Sequence, residues 1–228
     1  MARRHSRRFE MAKGQVDCTK AYGLPEAVSL MKSLPAPKFE ESVEVAVRLG
    51  IDPKKTDQLV RGSVSLPKGT GKGVRIAVFA EGDKAKQAEE AGADIVGGKE
   101  LAEKIEKGFD EFDMTIASPD MMKFVGKLGR VLGPAGKMPS PKAGTVTPNV
   151  GAAVREFKAG KIEFRTDAGA NVHAAVGRRS FENDDLVANI QAFVDHLRAQ
   201  KPPQAKGGFI RKVCISTTMG PGIQVDLS

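Results

Sequence analysis

The apolar pattern of this chain changes period partway along and then changes back. In "ESVEVAVRLGI" (41–51), Val43, Val45 and Val47 alternate with Ser42, Glu44 and Ala46, the period of a strand buried on one face only. "LVRGSVSLP" (59–67) repeats that pattern. From residue 74 the texture differs. "VRIAVFA" and "FDMTIAS" are near-continuous apolar runs, as expected of strands covered on both faces. Between and after them, "DKAKQAEEAGA", "KELAEKIEKG" and "PDMMKFVGKLGRVLG" predict helices, and "DIVGG" a short strand. Such alternation predicts a parallel sheet with crossover helices. "NVGAAVREFKAG" predicts one more helix, capped by Asn149 and ended by Gly160.

After residue 160 the first texture returns. "KIEFRTD" and "NVHAAVG" alternate and read as a hairpin through "AGA". "ENDDLVANIQAFVDHLRAQKPP" is a long amphipathic helix with Leu186, Ile190, Phe193, Val194 and Leu197 on one face. "FIRKVCIST" and "GIQVDL" form a last strand pair broken by "TMGP". Near the start, "GLPEAVSLMKSLP" reads as a helix opened by Pro25 and stopped by Pro35. The order first–second–first predicts one discontinuous α+β domain, residues 1–68 and 160–228, with an α/β domain inserted at 69–159. The glycines at 69–73 and Gly160 stand at the two crossings, as paired hinges for a rigid-body swing. Residues 1–13 read as a mobile basic arm, with four Arg in the first eight residues and little to bury.

No apolar run approaches the roughly 18 residues that span a bilayer, and no apolar core follows the basic N-terminus as a secretory signal requires. No membrane partner is expected. Cys18 and Cys214 have no CxxC neighbours and read as reduced cytosolic thiols. His5, His173 and His196 form no ligand pair, so neither metal nor cofactor is expected. The net charge is +8, and it is localised. Residues 121–180 hold eleven Lys/Arg against three Asp/Glu, whereas 81–114 hold eleven acids against five bases. A concentrated positive surface suits a polyanion; the plainer alternative is a solvated basic face.

"GRVLGPAGKMPSPKAG" (129–144) is the part of that window that most resembles a phosphate-binding loop. It fails the Walker pattern twice: Met138 follows Gly136-Lys137 where Ser or Thr is needed, and Val131 replaces the first glycine. "GTGKG" (69–73) has Leu66 in that glycine's place. The strand at 74–80 is followed by no G-x-G-x-x-G. Asp195 and His196 sit on the predicted outer face of the long helix as a solvated pair, and no Ser, Cys or Lys has a nucleophile's context. An enzyme is not expected.

A binder of folded RNA needs cations, closely approachable backbone, and small polar or flat contact groups. Lys123, Lys127, Arg130, Lys137 and Lys142 straddle the glycine-rich stretch and predict a pliable basic loop facing RNA or tRNA. "TTMGPG" (217–222) offers hydroxyls, a soft apolar group and a bare backbone where a strand stops. On composition alone it is a turn, and Phe39 alone is core.

Four stretches in order, "FEESVEVAVRLGIDPKKTDQLVRGSVSLP", "GRVLGPAGKMPSPKAGTVTP", "KIEFRTDAGANVHAAVG" and "STTMGPGIQVD", resemble the bacterial ribosomal protein L-one family, that of the large subunit's mobile stalk. The resemblance covers nearly the whole chain. It implies a two-domain fold in which the insert is a Rossmann-like, three-layer α/β domain. It implies a ribosome-associated, cytoplasmic protein, monomeric when free. The implied partners are large-subunit rRNA, the deacylated tRNA of the exit site, and the mRNA of its own operon, whose translation it represses. Carried over by position, the rRNA-gripping residues are Lys38, Phe39, Ser42, Asp167, Thr218, Met219 and Gly220. The glycine-rich stretch departs from the family's usual pattern at Ala135, Lys137 and Ser140, which in effect moves one basic charge by two residues.

Overall fold

A computed structural model describes residues 6–205 and 207–226, and it is mixed α/β with several sheets. Backbone contacts divide the chain into two compact units, residues 1–72 with 162–228, and residues 73–161. The split unit begins with α1 (Arg7–Gly14), β1 (Tyr22–Gly23), α2 (Leu24–Ser33), β2 (Ser42–Leu49) and β3 (Arg61–Ser65). The second unit follows with β4 (Ile76–Phe79), α3 (Asp83–Glu90), β5 (Ile95–Gly97), α4 (Lys99–Glu106), β6 (Met114–Ala117), the short turns α5 (Met122–Val125) and α6 (Gly129–Leu132), and α7 (Val150–Lys158). The chain then runs through β7 (Lys161–Arg165), β8 (Asn171–Arg178), α8 (Asn183–Ala199), β9 (Ile210–Thr217) and β10 (Ile223–Asp226).

In the split unit the sheet order is β1-β10-β9-β2-β8. β1 runs parallel to β10, and the other pairs are antiparallel. Period-two alternation sends Val43, Val45, Val47, Val172, Val176, Val213 and Ile215 into one core with α2 and α8. Leu186, Ile190, Phe193, Val194 and Leu197 of α8 are all fully buried there. The opposite sheet face is open, and Glu44, Arg48 and His173 stand on it exposed. One buried side-chain amide ties the chain after β3 to β8: Asn189 donates to the carbonyls of Gly69 (2.9 Å) and Val176 (2.8 Å) and accepts from Lys68 N–H (3.0 Å).

In the second unit the parallel sheet has the order β5-β4-β6. Ile76 and Val78 of β4 pack with Ala88, Val150, Val154 and Phe157 of α3 and α7. Ala77 and Phe79 pack on the other side with Leu101 and Ile105 of α4, and with Leu128 and Leu132. A strand covered twice needs apolar groups at every position, which is why β4 shows no alternation.

Five expectations need correction. Residues 6–14 do not form a mobile arm: Ser6 caps α1 by accepting Phe9 N–H (3.3 Å), and Ala12 is buried; residues 1–5, with His5, lie outside the described residues. The stretch 119–133 is not one helix. Gly126 and Gly129, poor helix formers, break it into α5, α6 and 3-10 turns. Asn149 makes no side-chain cap. β7 and β8 are not a regular hairpin. β7 pairs with β3 and β8 with β2, and the two meet only in a bridge between Thr166 and Val172. The Asp167 carboxylate turns the chain between them by accepting the N–H groups of Gly169 (2.8 Å) and Asn171 (2.7 Å). His196 is not a solvated outer-face residue beside Asp195. Its ring packs edge-on against Phe164 at 5.9 Å and bonds Gln200 at 2.9 Å.

Candidate nucleic-acid interface

The start of β2 and the β9–β10 turn are stitched together by Thr218. Its Oγ1 accepts Ser42 N–H (3.0 Å), and its own N–H donates to Ser42 C=O (3.1 Å). Ser42 Oγ in turn accepts from Arg178 (3.1 Å). The turn closes as Gly220 N–H donates to Thr217 C=O (3.1 Å), and a Cβ at Gly220 would run into Thr217 Oγ1. A side chain at position 220 would have to turn the Thr217 hydroxyl aside. Beside this seam Met219 stays 49% exposed and Phe39 54% exposed. Lys38 is exposed next to Phe39. The structure thus brings Lys38, Phe39, Ser42, Thr218, Met219 and Gly220 to one end of the split unit's sheet.

Asp167 is not part of that group. In the β2–β8 register Ser42 faces Arg178, whereas Arg48 faces Asn171, the residue bonded to Asp167. Six residues of strand, about 20 Å, separate the two ends. Asp167 serves its own turn, and the Asn171 N–H and side-chain amide, Gly169 N–H and His173 hold its carboxyl below the ordinary carboxylate range.

Sequence reasoning missed the group behind the seam. Glu41 is 1% exposed, and a carboxylate buried that far persists only when paired. Its Oε2 accepts from Arg179 Nη1 (2.7 Å) and its Oε1 from Met219 N–H (3.0 Å). Arg179 Nη2 also donates to the carbonyls of Lys32 (2.7 Å) and Leu34 (2.5 Å), where a cation complements the negative end of α2. Arg8 of α1 bridges Pro35 C=O (3.1 Å) and Met219 C=O (3.3 Å). Apart from Arg8 and Pro35, 27 residues apart, these partners lie 138 to 211 residues apart in sequence, and no local pattern announces them.

The basic loop of the second unit is less free than its glycines suggest. Thr115 Oγ1 donates to Lys137 C=O, Ala117 N–H to Thr145 C=O (2.9 Å), and Thr147 N–H to Ala117 C=O (3.2 Å), so the loop is sewn to the edge of β6. The chain reverses at Gly136 (φ 71°), a conformation glycine takes at no steric cost. That reversal lays Lys137 over the Phe112 ring (4.8 Å) and onto the Asp110 carboxylate, leaving its side chain 18% exposed. Lys137 is a structural cation. Lys123, Lys127, Arg130 and Lys142 are exposed, and the last three enter no ion pair among the described residues.

An exposed apolar group on each side of a hydrogen-bonded seam, with Lys38 beside them, has the chemistry of a surface that meets unstacked bases and phosphates. The profile of the Ribosomal protein L1p/L10e family matches residues 30–221, and the chain belongs to that family. The Large ribosomal subunit protein uL1 of Ralstonia pickettii (strain 12J) is 55% identical over 221 residues, covering 97% of this chain and 96% of that protein. Its namesake in Janthinobacterium sp. (strain Marseille) is 53% identical over 223 residues, 98% and 96% of the two chains. Another, from Polynucleobacter asymbioticus, is 55% identical over 221 residues, 97% and 95%. A member of this family is structural, not an enzyme.

Proposed function

We propose that the chain is a structural constituent of the large ribosomal subunit, ribosome-associated in the cytoplasm, which holds rRNA through its split unit. In this reading the split unit is the discontinuous α+β rRNA-binding domain, and residues 73–161 are the inserted, Rossmann-like one. Lys38, Phe39, Ser42, Thr218, Met219 and Gly220 form the rRNA contact surface. The observation that carries it is the Ser42–Thr218 seam, which fixes a bare turn while Phe39 and Met219 stay exposed beside Lys38. Unstacked bases of folded RNA pack on such flat or soft apolar groups, and cations beside them meet phosphates. Asp167, at the far end of β2, is outside this surface.

The finer parts of the proposal follow the family. Lys123, Lys127, Arg130 and Lys142 of the second unit face the exit-site tRNA and help its release. The contact surface of the split unit also takes the chain's own operon mRNA, which represses its translation. The free protein is a monomer. The test is binding to the stalk-base fragment of large-subunit rRNA beside a length-matched scrambled RNA, at two salt concentrations. A preference of about a thousandfold that survives higher salt supports shape-specific recognition. Equal binding that collapses with salt overturns it, since phosphate contacts alone carry no sequence information.

A further inference from the structure

Phe39 and Met219 belong to segments 180 residues apart in the chain, yet one hydrogen-bond network fixes both. Phe39 sits in the linker between α2 and β2. Arg179 holds that linker's start at Leu34 C=O, and Arg8 holds it at Pro35 C=O. Its end is Glu41, locked by Arg179. Met219 is held on both sides of its own residue: Glu41 takes its N–H, and Arg8 donates to its C=O. Three charged side chains from α1, the β2 entry and the β8 exit thus clamp the two exposed apolar groups relative to each other.

We infer that Glu41, Arg179 and Arg8 are positioning residues for RNA discrimination, and that Arg8 acts on the Met219 turn rather than on phosphate. The inference rests on the proposed RNA-binding surface. It draws α1 into that surface, although Arg8 lies before the span 30–221 that the family profile matches. The physical reason is preorganisation. A turn whose N–H and C=O are already engaged presents its side chain without paying ordering entropy on binding. Arg suits the task because one planar head reaches two carbonyls, which a lysine ammonium on a flexible stem does poorly.

The test pairs two readouts on the full chain. The first is amide exchange at Met219 and Gly220 in the free protein. The second is the ratio of affinities for the stalk-base rRNA fragment and the scrambled RNA, with its salt slope. Arg8→Ala is the main variant because Arg8 is only half-buried and its removal leaves the Glu41–Arg179 pair intact. Glu41→Gln is the harsher one. For Arg8→Ala the expected result is exchange at Met219 faster by about tenfold, β2 and β9 amides unchanged, a ratio lower by about tenfold, and an unaltered salt slope. Arg8→Lys does not restore the ratio. A salt slope lower by about 0.7–0.9 with the ratio intact makes Arg8 a phosphate contact and overturns the inference. Faster exchange with an unchanged ratio overturns it as well. A wild-type protein that does not discriminate refutes the RNA reading itself, and the exchange data then still report whether the turn is clamped.

Discussion

Residues 73–161 hold 14 Lys/Arg against 13 Asp/Glu, while the split unit holds 22 against 15. Nearly all of the net charge of +8 therefore sits on the split unit. Along the chain the second unit looks polarised, acidic in 81–114 and basic afterwards, but its fold interleaves the two halves. Lys158 reaches Asp94 (3.4 Å), Lys84 reaches Asp120 (2.6 Å), and Lys137 reaches Asp110. A crossover fold places the helix after one strand beside the helix after another, so segments of opposite sign become neighbours. The split unit has a different arrangement: one sheet face buried, one open, and its innermost ion pair spent on holding a turn. A basic window in a sequence is thus not a basic surface until the topology has been applied.

The comparison breaks most visibly in the cores. Phe79→Ala in the second unit and Phe193→Ala in the split unit should each cost about 3–5 kcal/mol in denaturant unfolding, since both rings are fully buried. At a temperature where both variants remain folded, only Phe193→Ala should weaken the preference for the stalk-base rRNA; an equal loss from Phe79→Ala would erase the division of labour. Next in size, Met219→Ala or Phe39→Ala should lower that preference by roughly 1–3 kcal/mol in competition binding. The triple change Lys127→Glu, Arg130→Glu and Lys142→Glu should leave it alone and act on deacylated tRNA instead. Lys137→Ala should cost the second unit about 1 kcal/mol, from a cation–π contact and a partly shielded ion pair, with no effect on either RNA.

The smallest effect concerns Asp167. Its folded pKa lies below the ordinary 3.8, first because Asn171 N–H bonds the carboxylate. The stabilisation is therefore complete above that ordinary value and lost as pH falls through the lower folded one. An acid titration of stability should show a shallower decline for Asp167→Asn than for the wild type below about pH 4. Because Asp167 stands at the far end of β2, that substitution should not change rRNA preference.

Much of the molecule was legible beforehand for physical reasons. Burial on one face or two imposes a period, so Val43, Val45 and Val47 announced a half-open sheet and residues 76–79 a covered one. The five apolar positions of α8 announced its buried stripe in the same way. Local conflicts in the chain announced less. Two glycines inside 119–133 carried the break in that helix, but the apolar spacing masked it. The alternation of 161–177 suited a hairpin equally well, because period two fixes which face a residue takes and not which strand it pairs with.

The sequence by itself determined the elements and the order of textures along the chain, since these follow from periodicity and composition within a few residues; Lys38, Phe39 and Met219 stood out only through the resemblance to a family. Only the tertiary structure decided the partners. It separated Asp167 from Ser42, folded Lys137 onto Phe112, and gathered Arg8, Glu41 and Arg179 behind Met219. Those outcomes depend on strand register and on contacts between segments as many as 211 residues apart, and hydrogen bonds of that kind leave no periodic trace in the chain.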